Sequence, residues 1–384
     1  MTNKNTKIRV QSAPDDCLEN ITTIEDIRSK IANVRALQGS FRDATLYQRK
    51  WNPTNEKDSD VNDSDSTCTL KLLQFNTLAQ GLSAGPSLQI PTPFDAKCCR
   101  KDIYGGFSNI PNPEIVLDFD LRRWRLMEVL LEDDYDIIAM EEVDRFHGFF
   151  EPLLNILGYQ GLFTPKPFSP GVSMGWYSDG CALFWKKDTL ELLKEEKGAY
   201  EMGSGSQVYT IATMRHVATD RVLVVAMTHL KAGKTIENEI VRVGQVEELL
   251  GAVQASAQNA AKLGNIALDE IPVVVAGDFN SDPKENNSCI RGIQSKDSIY
   301  PMKSAYEVDS ITHSSMFTTW KTRGDMTVKR IIDYIFHNAG VTKGFDCSHT
   351  LQNPVDYEVE ETRLPGFKYP SDHIAVGAKF KLER

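Results

Sequence analysis

The chain has 384 residues, 25% charged and 41% hydrophobic, with a formal net charge of −10. That apolar content excludes a wholly disordered chain, and no apolar run reaches the roughly 18 residues of a helix that crosses a bilayer. The negative balance excludes attraction of a polyanion by the global field, so phosphate chemistry here needs local cations or a metal.

Residues 1–66 read as an N-terminal extension. The first twenty lack an apolar core, so no secretory signal is expected, and Asp15, Asp16 and Glu19 weigh against a mitochondrial one without removing it. Ile21 to Leu37 has the spacing of one amphipathic helix. Asn52 to Ser66 carries five acids against one lysine. Asp58, Asp60 and Asn62 have the spacing of a calcium loop, but Asp63 stands where the turn needs glycine and Thr69 where the bidentate acid belongs. A flexible acidic linker is the expectation. The 7 cysteines are irregularly spaced without a Cys-x-x-Cys pair, as for reduced thiols in a cytoplasmic protein.

From residue 67 to 384 one domain is expected. Short β-type runs alternate with helical patterns. The strands are expected at Leu70–Phe75, Ile137–Met140, Cys181–Trp185, Val222–Thr228, Pro272–Ala276, Ile331–Phe336 and Ile374–Phe380. Several are apolar at consecutive positions, the pattern of strands covered on both faces. Leu121, Trp124, Met127, Leu130 and Leu131 mark one helix. Ile236, Ile240, Val243, Leu250, Val253 and Ala257 mark a longer one. The layout is α/β, with stacked sheets flanked by helices.

Polar residues stand at the ends of these apolar strands. Asn76 follows Phe75, Glu141-Glu142 follow Met140, His229 follows Thr228, and Asp278 and Asn280 follow Ala276-Gly277. Asp333 lies inside its strand, and Asp372-His373 precede the last one. Any one of these can be a turn or a cap. A carboxylate inside an apolar strand needs a specific partner, and six strand ends with such groups describe a metal–phosphate site. Glu142, Asn76 and Asp372 are the expected ligands of a hard cation, Mg2+ with Mn2+ as a substitute. Asp278 suits orientation or deprotonation of a water, and Asn280 a hydrogen bond to a phosphoryl oxygen. His373 suits proton exchange with Asp333 holding its tautomer, and His229 a phosphoryl contact.

These residues in this order resemble the endonuclease/exonuclease/phosphatase superfamily. The motifs are LLQFNTLAQ, AMEEVD, DGCALF from Asp179, THLKA from Thr228, GDFNSDP from Gly277, IDYIF from Ile332 and PSDH from Pro370. Within it the similarity is greatest to the nocturnin and carbon catabolite repressor type deadenylases, through NTLAQ, TTWK and RLPGFKYPSDH. The resemblance implies a four-layer α/β/β/α sandwich of two stacked mixed β-sheets, Mg2+ dependence, and the roles just given.

It also implies two substrates: an adenylate-rich RNA 3′ end, trimmed 3′–5′, or the 2′-phosphate of NADP(H). An inactive RNA-binding scaffold is the third reading. Three departures bear on the choice. Glu141 replaces the family's glutamine. Met326-Thr327-Val328 lacks the aromatic that stacks on adenine. Gly233 replaces an arginine after Lys231, with Lys234 beside it. Lys321, Lys329 and Arg330 are the expected phosphate contacts, and Trp320 a base platform. The leucine-rich repeats of complex-bound deadenylases are absent.

Overall fold

In the computed structural model, residues 8–54, 67–84, 104–203, 205–285, 288–306, 316–339 and 341–383 are described. Strands are numbered in chain order. On β2 (Thr67–Asn76) the alternation of side chains sends Leu70 and Leu72 one way and Leu73 and Phe75 the other. Both directions end in apolar packing, so the strand is covered on both faces.

One sheet has seven strands in the order β1 (Trp51–Pro53), β14 (Phe345–Leu351), β15 (Val376–Glu383), β2, β3 (Ile137–Val143), β5 (Gly180–Lys186), β4 (Tyr159–Pro165). The other has six: β10 (Lys303–Ser304), β13 (Asp333–His337), β9 (Val273–Asp278), β8 (Val222–His229), β7 (Val208–His216), β6 (Leu190–Ala199). Each sheet is mixed. β2 and β3 are parallel, as are β8 and β9, and the remaining neighbours run antiparallel. Leu72, Ile137, Leu183, Val225, Met227, Val274, Ile335 and Phe380 form the core between the sheets. Helices α1 (Ile24–Gly39) and α2 (Phe119–Leu130) cover the first sheet, and α3 (Ile236–Gly264) covers the second. This is the expected four-layer sandwich.

The described residues before β2, 8–54, are packed against the domain. Ile27, Ile31 and Val34 of α1 are buried against α2, Arg35 pairs with Glu128 at 2.9 Å, and β1 extends the sheet through β14. The acidic tract from residue 55 to 66 lies outside the described residues, as do Cys98 and Cys99. Thr23 and Asp26 cap α1 reciprocally, at 3.2 and 2.9 Å. Thr23→Ala should lower stability by about 1 kcal/mol. An unchanged melting temperature would show that α1 lies outside the cooperative unit.

Helix α3 differs from expectation in its first turns. Ile236, Ile240 and Val243 face solvent, while Glu239, Arg242 and Gln245 are buried. The reason is what lies beneath. Arg242 donates to the carbonyls of Lys231 and Gly233 (2.8 and 2.7 Å), Gln245 accepts from the Lys231 amide (3.0 Å), and Glu239 accepts from Ser281 and the Cys289 amide. Polar loops at the end of β8 and β9 demand a polar helix face. Only from Val246 onward does α3 reach apolar sheet, through Leu249, Leu250, Val253 and Ala257.

Candidate active site

The site follows from strand phase. Gln74 and Asn76 on β2, Glu141 on β3, His229 on β8, Asp278 on β9 and Asp333 on β13 stand an even number of positions from residues of the inter-sheet core. Alternation therefore points all of them between the sheets, at one end. Pairing aligns the ends: Asn76 lies opposite Glu141, and Asp278 opposite both His229 and Asp333. Glu142 is out of phase. The β3–β5 register shifts between Met140 and Val143, and Glu142 takes φ +57°, so a bulge turns its side chain to the loop after β2. There its Oε2 accepts from the Ala79 amide at 3.2 Å.

His373 Nδ1 lies 2.9 and 3.1 Å from the two oxygens of Asp333. Burial alone would lower this imidazole, but the Asp333 carboxylate outweighs it and raises His373 to about 9. Asp278 accepts from Asn76 Nδ2 at 3.0 Å and from the Asn280 amide at 2.9 Å. Its Oδ2 stands 3.6 Å from His229 and 3.9 Å from His373. Burial, then repulsion from Asp333, pushes Asp278 up to about 7. One oxygen of each of these acids and a ring nitrogen of His373 lie within 4.8 Å of one another.

His229 is buried between charges. Lys166 Nζ is 3.2 Å from its Nδ1 and 2.6 Å from Asp179. Burial first, and Lys166 second, holds His229 well below the usual imidazole value. With an ammonium donating to Nδ1, the ring carries its hydrogen on Nε2, toward Asp278.

Asp372 meets Lys321 at 2.5 Å and Arg323 at 3.3 Å through Oδ2, which outweighs burial and holds its carboxyl well below the usual range. Lys321 also lies 3.5 Å from His373 Nε2. Both cations come from the hairpin of β11 (Thr319–Arg323) and β12 (Met326–Arg330), which docks where Thr319 bridges His373. Among the described residues the buried Asp372 Oδ1 has no partner. That orphaned acceptor and the half-buried Glu142 carboxylate suit a hard divalent cation, whose chemistry asks for oxygen donors.

Lys329, Arg330 and Trp320 are already engaged by other groups of the protein. Lys329 is held by Asp356 at 2.6 Å, and Arg330 by Glu285 at 2.8 Å and the Asn280 carbonyl at 3.2 Å. Arg363 and Lys329 lie over the Trp320 ring at 4.1 and 4.4 Å, and Phe317 packs on its edge. The ring is engaged within the protein instead of open to a base. Trp320→Ala should therefore lower the melting temperature and leave KM unchanged. A base platform would instead raise KM by the equivalent of about 1–3 kcal/mol.

Lys234 is exposed, Lys231 half-buried, and between them Gly233 takes φ +112°. A Cβ there would lie 2.4 Å from Asn238. Lys166 carries no sequence signal of its own, because a lone cation between ordinary residues reads as surface, and Arg323 shows only as one member of the basic stretch around Lys321. Asp179 was visible as the first residue of DGCALF.

The endonuclease/exonuclease/phosphatase family model matches residues 96–373. The chain belongs to this family. It is 30% identical to mouse nocturnin over 83% of this chain and 67% of that protein. It is 25% identical to the CCR4-Not complex 3′-5′-exoribonuclease subunit Ccr4 of Debaryomyces hansenii, over 96% of this chain and 47% of that one. Among solved structures, the human nocturnin catalytic domain with bound sulfate anion superposes with a TM-score of 0.59 at 25% identity, over 87% of this chain and 96% of that one. The family member described here is thus a phosphoesterase, and among the described residues Asp278, Asp333 and His373 also stand close enough together to hold a metal ion, an alternative to the oxygens of Glu142 and Asp372.

Proposed function

We propose that this phosphoesterase is Mg2+-dependent and trims adenylate-rich RNA from the 3′ end. The observation that carries the reading is the meeting of Asp278, Asp333 and His373, with Asn76 bonded to the same cluster. A carboxylate lifted to about 7 is matched to accept a proton from water near neutrality. Asn76 and the Asn280 amide fix the direction of its oxygens. His373, held protonated by Asp333, presents positive charge to a phosphoryl group. Neutral His229 presents an N–H donor, and Lys321 and Arg323 neutralise further phosphate charge. A bound Mg2+ on Glu142 and Asp372, with Asn76 beside them, would supply charge neutralisation at phosphorus.

Removal of the NADP(H) 2′-phosphate is the second reading. The absence of an aromatic on β12 favours it: the residue opposite Lys321 is Val328. Gly233 speaks against it, because its backbone disfavours the side chain of a second clamp residue. The full chain with Mg2+, given 5′-labelled oligo(A) RNA or NADPH, separates the two. Shortened RNA with intact NADPH supports the exoribonuclease. Free phosphate from NADPH with intact RNA replaces it by the phosphatase. Turnover of neither, across metals, leaves the scaffold.

A further inference from the structure

Arg122 of α2 is fully buried and lies beneath the site. Its helix neighbours are ordinary ion-pair residues: Arg123 meets Asp15 and Asp120, and Arg125 meets Glu128. Arg122 is different. Among the described residues no carboxylate comes within ion-pairing distance of it. Its partners are carbonyls and one hydroxyl. Nη1 donates to Thr77 O at 2.8 Å and Pro370 O at 3.2 Å, and Nη2 donates to Leu78 O at 2.6 Å and Ser83 Oγ at 3.1 Å.

Those acceptors sit on the two loops that matter. Thr77 and Leu78 directly follow Asn76, and Pro370 precedes Ser371, Asp372 and His373. The first loop is held in an unfavourable shape, since Leu78 takes φ +56°. From that shape the Leu78 amide reaches Asn76 Oδ1 at 3.1 Å and the Ala79 amide reaches Glu142 at 3.2 Å. Ser371 Oγ to Asn76 O, at 2.6 Å, is a second tie between the same loops. A buried cation without an adjacent anion is costly unless charge elsewhere balances it. Burial dominates here, and Asp144, Asp372 and Glu142 offset only part of its cost from beyond ion-pairing distance; two of these three are the expected cation ligands.

We propose that Arg122 is a positioning residue for the hydrolase reaction: its planar fork clamps the Asn76–Ala79 loop to the Pro370–His373 loop and so sets the spacing between the Glu142 and Asp372 sides of the site. The inference rests on the hydrolase reading for its kinetic part and on geometry alone for its metal part. Lysine keeps the charge but lacks the fork that engages both loops at once.

The test uses the full chain carrying Arg122→Lys, with Ser83→Ala as a mild companion, and three readouts: melting temperature, the kcat–KM split, and Mn2+ affinity by calorimetry. Arg122→Lys is expected to keep KM and to lose about 10–100-fold in kcat and in Mn2+ affinity, well below its melting temperature. Ser83→Ala is expected to shift both in the same direction by less. Native kcat and Mn2+ affinity in folded Arg122→Lys overturn the proposal. So does a loss that tracks only the fraction unfolded. If Arg122→Lys does not fold, Ser83→Ala decides: a changed Mn2+ affinity at unchanged melting temperature supports the clamp, and an unchanged one overturns it. Calorimetry needs no substrate. A wild type that turns over no phosphoester, yet binds Mn2+ in an Arg122-dependent way, sinks the hydrolase reading and leaves the clamp standing. A wild type that does neither overturns both.

Discussion

His373→Ala is expected to lower kcat by about 10²–10⁴-fold with little change in KM. The imidazole sits on Asp333 at 2.9 Å, faces Lys321 at 3.5 Å through its other nitrogen, and is buried at the meeting point of β13, the hairpin and the loop before β15. No neighbouring group can take its place, because Lys321 already holds Asp372. Stability should change as well, with a defined pH dependence. The folded value, about 9, is above that of the unfolded chain. The His373–Asp333 pair therefore contributes stability that is complete below about pH 6.5 and is lost as pH rises through about 9. The variant should be less stable than wild type at pH 6, with the gap closing toward pH 10. Denaturant melts at both pH values and single-turnover rates on the preferred substrate check the two halves separately. A variant with wild-type kcat would remove His373 from the chemistry.

Glu141→Gln is expected to stabilise the protein by about 1–3 kcal/mol, and more at pH 8 than at pH 5. Glu141 is fully buried, and among the described residues neither its Oε1 nor Gln74 Oε1 has a partner. Burial first, then repulsion from Asp333 and Asp278, raises its carboxyl well above the usual range. A group raised in the folded state contributes its full stability below the unfolded value, near 4.5, and loses it progressively as pH climbs toward the folded value. An amide escapes that loss, so the advantage of glutamine grows with pH. Its NH2 also gives Gln74 Oε1 a donor. The measurement is the melting temperature of both proteins at pH 5 and pH 8. A lower value for Glu141→Gln at pH 8 would mean that a cationic partner holds the buried carboxylate.

The parts of the fold that were legible in sequence are those whose residues have no solvent face. β3, β5, β8 and β9 are runs of consecutive apolar residues because both sides are covered. β13 and β15 begin two residues later than expected, at Asp333 and Val376, since hydrophobicity marks burial rather than pairing. β6 was not legible: it closes a sheet edge, and its sequence LELLKEEKGA alternates with charges exposed to water. The short hairpin of β11 and β12 is similarly polar.

The site was legible where strand phase alone places a residue, as for Asn76, His229, Asp278 and Asp333. It was not legible where loops do the placing. The bulge that turns Glu142, the ion pairs that draw Lys321 and Arg323 onto Asp372, and the burial of Lys166 and Arg122 all depend on contacts between distant segments. Isolated arginines and lysines read as surface until such contacts are known. The same blindness misplaced Ile236, Ile240 and Val243, whose spacing is helical but whose helix faces polar loops there.

The most direct measurement is turnover by the full chain stripped of metal with EDTA and then resupplied with Mg2+, on oligo(A) RNA and NADPH, alongside Glu142→Gln. The expected result is no hydrolysis without metal, recovery on one of the two substrates with Mg2+, and a sharply higher Mg2+ requirement in Glu142→Gln. Undiminished hydrolysis in EDTA, or a Glu142→Gln protein with the wild-type Mg2+ requirement, would contradict it.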